Sequence, residues 1–411
     1  MNPELLELSR LFLRKYSRTF IRYFLKEHEL SHRMNVVVGQ RGVGKTTAAV
    51  QHLLSKVDGD MLSRKILYVP SDHFLLRGVT LYEIAKDFFQ TGGQVICFDE
   101  VHKYPGWSGE LKSIHDTFAD LEILATGSSA LEVFQGSHDL SRRAIVHIMH
   151  GMSLREFIAL DSDISLETAP LVGVLKDHER LAEAYVRRLE EHGIKILEVF
   201  GRYLRHGYYP YFRDLGNEDD FFTLLEQNVH TAVEVDLLAV SPNLSGESIR
   251  KLKRLLAVVA GAVPFVPNFR TLGAAVGVVD QRTIRNYLEQ LQRVGVLRLL
   301  PKAGRPHDSL AKPEKIYLDN SNQQLALTSL GSANLGTVRE TFFASQLGAH
   351  HRIGIPKKGD FLVDDSILFE VGGKNKKNKQ IRDENHAFRA LDNIEIGSGN
   401  RVPLWLFGFS Y

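Results

Sequence analysis

The stretch NVVVGQRGVGKTTAAV, residues 35–50, constrains this chain more than any other. Asn35 to Val38 has the β-branched character of a short buried strand. It runs into Gly39-Gln40-Arg41-Gly42-Val43-Gly44-Lys45-Thr46, which meets G-x-x-x-x-G-K-[ST] at every fixed position. From Thr47 onward the residues favour helix. A glycine-rich turn between strand and helix lets backbone N–H groups point inward around a phosphate, at the positive end of the helix. Lys45 is long enough to reach β- and γ-phosphates, and the Thr46 hydroxyl suits Mg²⁺. Gly39 to Thr47 is therefore the expected nucleotide cradle, with ATP and Mg as cofactors.

Such a loop needs a carboxylate for the metal. Gln94-Val-Ile-Cys-Phe98 is an apolar run that ends in Asp99-Glu100. Ligands sit at the carboxyl ends of parallel strands, which places Asp99 beside the loop as a metal ligand. Glu100 then lies where a carboxylate orients an attacking water. A third apolar run, Leu121 to Ala125, ends in Thr126-Gly-Ser-Ser129. A polar side chain at that strand end is placed to meet the γ-phosphate, and Ser128 is the favoured candidate; an ordinary strand-to-helix cap is the plainer alternative. Ile66 to Val69 and Ala144 to Ile148 complete a sheet that should be parallel, with helices on both faces.

Composition sets the outer bounds. At 411 residues the chain is long enough for two to four domains of roughly 100–200 residues each. Its net charge of +2 supplies no overall basic field, so any nucleic-acid contact must be local. The single cysteine, Cys97, rules out an intrachain disulfide. The N-terminal thirty residues carry charges every few positions, which suits an amphipathic helix and neither a signal peptide nor a membrane span. The expectation is a cytoplasmic protein with no membrane partner.

GQRGVGKTT, VICFDEVHKYPGW, LKSIHDTF, ILATGSSA, LSRRA and GMSLREF follow one another in the chain. This set resembles the AAA+ ATPases of a poorly characterised prokaryotic family, in which an ATPase domain precedes a C-terminal domain related to restriction endonucleases. The resemblance implies Asp99 as the Mg²⁺ ligand, Glu100 as the catalytic glutamate and Ser128 at the sensor position. It also aligns Arg143 with a family arginine that neighbouring subunits can donate to the phosphoryl group, with Arg142 in place of a glycine. Rings are common among AAA+ relatives, so a homo-oligomer is one expectation.

Further along, GRYLRHGYYPYF (201–212) is an aromatic-rich junction, read as packing in a helical region. From Ser245 the pattern is helix, short helix, longer helix (Gln281 to Val294), then two strands flanking AGRPHDSLAKPE. That is the order of a winged helix. As a DNA reader it would present Gln281, Arg282, Arg285 and Asn286 to the major groove; otherwise it is a brace.

Near the end, Asp360-Phe-Leu-Val363 and Ile367-Leu-Phe-Glu370 flank Asp364-Asp-Ser366. A three-residue hairpin loop would pair Val363 with Ile367, Leu362 with Leu368 and Phe361 with Phe369. Asp360 and Glu370 would then share a face, roughly 4.5–5.5 Å apart at Cβ, as a second metal site requires. A restriction-endonuclease-like strand would carry Glu-x-Lys, but position 372 is glycine. Lys374 lies roughly 13 Å past Glu370 on an extended strand. A bulge at Gly372-Gly373 would be needed to fold it back. Lys374, Lys376, Lys377, Lys379 and Arg382 form a basic loop suited to a phosphate backbone or simply to solvent. Glu340, in the helical stretch Val338 to Leu347, sits where the resemblance implies another acidic residue of such a fold; a solvated helix carboxylate is the favoured reading.

The predicted fold is α/β. A P-loop NTPase parallel sheet of AAA+ type (1–165) leads into a helical region (166–244), a winged helix (245–319) and a small α/β restriction-endonuclease-like domain (320–411). The predicted function is Mg-dependent ATP hydrolysis coupled to the C-terminal domains, with DNA as one target. Two rivals stand beside it: an ATP-gated metal-dependent nuclease, and a nucleotide-dependent switch that binds a protein partner.

Overall fold

The computed structural model describes residues 2–127, 140, 142–240, 244–304, 312–328, 334–376, 381, 384 and 386–411. The chain divides into two compact units. The first comprises Met1–Gly151 with Glu234–Leu244, the second Met152–Val233 with Ser245–Tyr411. The first division along the chain falls at 151/152. The residues expected as a separate helical region are shared between the two units.

In the first unit five strands form one sheet: β1 (Met34–Val38), β2 (Ile66–Pro70), β3 (Val95–Asp99), β4 (Glu122–Gly127) and β5 (Ile145–Ile148). Their order is β2-β3-β4-β1-β5, and every pairing is parallel. β1, β2 and β3 are buried along their whole length, which is why they read as continuous Val, Ile and Phe rather than as alternation. The helices Pro3–Tyr16, Lys45–Ser55, Leu81–Gln90 and Trp107–Thr117 belong to the same unit. Leu81–Gln90 starts at a capping box, with Thr80 and Glu83 bonding each other's backbone. One core joins Met34, Val36, Leu67, Ile96, Phe98, Leu111 and Ile123. Because β4 lies between β1 and β3, its end is set between the glycine-rich turn and Asp99.

In the second unit, helices Gly246–Ala260, Phe269–Val276 and Gln281–Arg293 precede an antiparallel pair, β6 (Leu297–Leu300) and β7 (Lys315–Leu318). Asn268 and Asp280 cap the second and third of these helices. The aromatic junction packs inward, as expected. Tyr203, Tyr208 and Tyr209 are buried, and Tyr209 Oη accepts from Asn320 Nδ2 at 3.1 Å and Gln323 Nε2 at 3.0 Å.

A second sheet has the order β12-β11-β10-β9-β8: β8 (Ile353–Gly354), β9 (Phe361–Val363), β10 (Ile367–Gly373), β11 (Ala387–Asp392) and β12 (Arg401–Pro403). β9 and β10 pair Val363 with Ile367, Leu362 with Leu368 and Phe361 with Phe369, the register that hydrophobic matching demands. β11 joins β10 in parallel, setting Arg389 opposite Glu370. Helix Leu335–Leu347 packs Phe343 against Phe361 and Phe369. Among the described residues no helix is long and apolar enough to cross a membrane.

Candidate active site

Gly42 and Gly44 adopt φ of +88° and +103°, a region a side chain would strain. Gly44 stands at the N-cap of Lys45–Ser55 without a side-chain cap, so the first-turn N–H groups are not closed off by a neighbouring oxygen. The loop is clamped from behind. Arg22 donates to Val43 O at 2.5 Å and to His150 O at 3.0 Å, a contact with no sequence signal. Lys45 is buried and folded onto its own loop, donating to Gly39 O at 2.9 Å and Gln40 O at 2.8 Å. Burial pulls its pKa below the usual lysine value, although Glu100 and Asp99 work the other way.

Asp99 ends β3 and is 5% exposed. Thr46 donates its hydroxyl to Asp99 Oδ2 at 2.9 Å, so the two expected Mg²⁺ ligands already meet. Tyr68 and Thr126 also donate to this carboxylate. Burial raises the Asp99 pKa, and these hydroxyls only partly offset it. Thr126 does a second thing: its Oγ accepts from Glu100 N at 3.1 Å and so fixes the next residue. Thr126 stood among the strand-end candidates; Tyr68 carried no sequence signal. Ser128 lies outside the described residues.

Glu100 sits at φ +52°, a costly conformation for a non-glycine residue. Its Oε2 is buried, 3.2 Å from Lys103 Nζ and 3.9 Å from His102 Nε2. Lys103 also holds Asp72 at 2.6 Å. Burial alone would raise the Glu100 pKa, but Lys45, His102 and Lys103 outweigh it and hold the carboxyl below its ordinary value. Among these charges Lys45 acts most strongly on Glu100. The donor set of Thr46 hydroxyl and Asp99 carboxylate, all oxygen, fits Mg²⁺.

Arg143 is already engaged. It forms a two-pronged pair with Asp116, at 2.7 and 2.8 Å, which holds the Asp116 pKa at about 2. Arg142 is exposed.

In the second unit, Asp360 and Glu370 do lie on one face, but the lysine differs from expectation. Lys374 is exposed. Lys376 turns back instead, with Nζ 3.5 Å from Asp360 Oδ2 and 3.6 Å from Glu370 Oε1. A Cβ at position 372 would lie 2.7 Å from Lys376 Cδ, so the missing side chain of Gly372 is the space the lysine fills. Lys377, Lys379 and Arg382 lie outside the described residues. Glu370 is 1% exposed, and its Oε2 has no hydrogen-bond partner among the described residues. Burial raises its pKa. Glu340 is not a solvated carboxylate. It accepts from Tyr317 Oη at 2.6 Å, and burial raises its pKa as well. Among the described residues no group of three or more His, Cys, Asp or Glu side chains is placed to hold a metal ion.

Comparison with known proteins agrees with the first unit. Residues 31–158 match a family described as an AAA domain, and residues 197–330 match a domain of unknown function, DUF8612. A protein of Methanocaldococcus jannaschii, described as uncharacterized protein MJ1637, is 25% identical over 410 residues, covering 89% of this chain and 81% of that one. Two solved structures align in part. The Walker-type ATPase PABY2304 of Pyrococcus abyssi has a TM-score of 0.38 at 12% identity, over 74% of this chain and 93% of its own. PCH-2 of C. elegans has a TM-score of 0.23 at 14% identity, over 69% and 68%. At these scores the two structures add no weight. The AAA-domain match and the geometry together support a P-loop ATPase domain in the first unit.

Proposed function

We propose that the chain binds Mg-ATP at Gly39–Thr47 and hydrolyses it, and that nucleotide state is passed to the second unit. The observation that carries this is the meeting of Thr46, Asp99, Thr126 and Glu100 around the end of β3. Lys45 would leave the Gly39 and Gln40 carbonyls for the β- and γ-phosphates. Thr46 and Asp99 would hold Mg²⁺, which when bound neutralises charge developing on the phosphate oxygens. Glu100, held by Thr126 through its backbone, would orient the attacking water. Ser128 would serve at the sensor position. Arg143 would act on a neighbour's phosphate only after leaving Asp116. A switch that never hydrolyses has no use for Glu100, which sets that rival behind.

The test is phosphate release from Mg-ATP by the full chain and by Lys45→Ala. Loss of both nucleotide binding and turnover in the variant is expected, by about 100-fold or more. A Lys45→Ala protein that bound and hydrolysed ATP like the parent would overturn the reading.

A second reading, a metal-dependent nuclease in the second unit, draws on Asp360, Glu370 and Lys376 sharing one face. Three helices followed by the β6–β7 pair support a winged helix, and exposed Gln281, Arg282 and Asn286 on its third helix support a DNA contact. Cutting of DNA with Mn²⁺ that disappears in Asp360→Ala would favour this reading. Turnover unaffected by DNA at low salt would turn attention to a protein partner.

A further inference from the structure

The first helix, Pro3–Tyr16, turns one side to the sheet of its unit. Ser9 and Leu13 are buried there, and Ser9 Oγ accepts from Tyr68 N at 2.9 Å. Elsewhere the helix borders a groove of about 430 Å³, which Leu62 and Arg64, from the segment leading into β2, also line. Leu11 and Leu62 line it while 54% and 58% exposed. Three arginines share this lining, Arg10 and Arg14 from the helix and Arg64 from the second segment, against one carboxylate, Glu7. None of the three guanidinium groups has an ion pair or hydrogen bond among the described residues. In the same unit Arg22, Arg33, Arg41 and Arg143 each donate to a partner. Arg10 and Arg14 stand four residues apart on the helix surface, where like charges repel. A place in the last turn suits Arg14 to the helix dipole, but neither Arg10 nor Arg64 has that compensation. Folding does not ask for this trio around two wet leucines.

We propose that this groove docks an acidic, amphipathic helix of a partner protein. An arginine fork accepts a carboxylate through two parallel hydrogen bonds, so the three free forks fit acidic side chains. Arg10 and Arg14 are about one helical turn apart, roughly 5.4 Å, and therefore match carboxylates one turn apart on a second helix. An apolar side chain on that same face covers Leu11 and Leu62, as when amphipathic helices lie in grooves. The leucines choose between anionic partners. A nucleic-acid backbone would use the arginines and leave Leu11 and Leu62 in water. A bilayer surface is flat and does not fill a groove. The chain's small net charge gives the partner no general attraction, so recognition rests on this local patch. Nothing in the proposal depends on nucleotide binding at the phosphate loop.

The experiment titrates the full chain into a fluorescent alanine-rich peptide of about 18 residues, long enough to hold a helix, built on the unit Glu-Ala-Ala-Leu-Glu. Fluorescence anisotropy reads the Kd. The parent should bind saturably at or below about 1 mM. The triple variant Arg10→Gln/Arg14→Gln/Arg64→Gln should bind about tenfold more weakly, the sum of three exposed ion pairs. Leu11→Gln/Leu62→Gln should also weaken binding, by about fivefold or more. Added salt should weaken the parent toward the triple variant. The triple variant should be at least as stable as the parent to heat, because a like-charge pair has gone. Where a variant fails to fold, a peptide with glutamine for every glutamate decides: the parent should bind it about tenfold more weakly. No saturable binding by the parent overturns the proposal, as does equal binding of the glutamine peptide or equal binding by the triple variant. An oligo-dT strand, or vesicles containing phosphatidylserine, that bound the parent more tightly than the peptide and lost binding in the triple variant would overturn it too, and would make the groove a phosphate surface.

Discussion

Each unit of this chain brings two carboxylates and a lysine together, yet the two arrangements are chemically opposed. In the first, Lys45 donates its hydrogen bonds to loop carbonyls rather than to Asp99 or Glu100. Asp99 is held by hydroxyls, which orient a carboxylate without neutralising it. In the second, Lys376 lies between Asp360 and Glu370 and supplies the positive charge itself. The lesson is that counting acids and lysines does not define a site. Where the lysine points decides whether a carboxylate such as Asp99 is held by hydroxyls or, like Glu370, paired with an ammonium group.

The sharpest way to break this comparison is to neutralise one glutamate in each unit. Glu100→Gln should cut the rate of ATP hydrolysis by about 100-fold or more with little change in nucleotide affinity. Glu370→Gln should leave that rate unchanged, and equal losses in both variants would end the contrast. A smaller effect belongs to Thr126→Val, which keeps shape but removes the hydroxyl shared by Asp99 and Glu100 N. About a tenfold drop in kcat is expected, in line with loss of a hydrogen bond to a charged group. Lys376→Ala should destabilise the second unit by about 1–2 kcal/mol at neutral pH, because two neighbouring carboxylates lose their cation and Lys376 is itself partly exposed. Thermal unfolding would show this deficit shrinking as acid protonates one of the pair. Added Mn²⁺ should raise the midpoint of the variant and not of the parent.

The smallest effect lies in the scaffold of the first site. His52, on the helix after Lys45, has its pKa lowered to about 4, mainly by burial. A histidine that resists protonation when folded is protonated first in the unfolded chain. Stability is therefore full above the ordinary histidine pKa and is lost as pH falls toward the folded value. Between pH 7 and pH 6 the loss is about 0.7 kcal/mol. His52→Leu should remove this slope from denaturant curves taken across that range.

The loop Gly39–Thr47 and the Asp99-Glu100 pair were legible because each is a local pattern tied to a strand end. The β9–β10 register was legible for a similar reason, since a period of two leaves one pairing that matches Val363, Leu362 and Phe361 to apolar partners. Tyr68 and Arg22 were not legible. Each reaches the site from a distant part of the chain, and a lone tyrosine or arginine carries no mark of its destination. Lys376 rather than Lys374 turns back to the two carboxylates, because the strand ends at Gly373 and its parity does not extend past that point. Glu340 was read as solvated because nothing near it in sequence announces Tyr317.

Gly372 has one more consequence, and it is genetic. The residue carries no charge and no side chain, and an ordinary survey of polar groups would pass over it. Yet any replacement must displace Lys376 from between Asp360 and Glu370. A scan of every position should therefore find Gly372 as intolerant as the residues that carry the charges. Replacements that do survive there should be accompanied by second changes at 360, 370 or 376, so the silent position would be exposed by the company its suppressors keep.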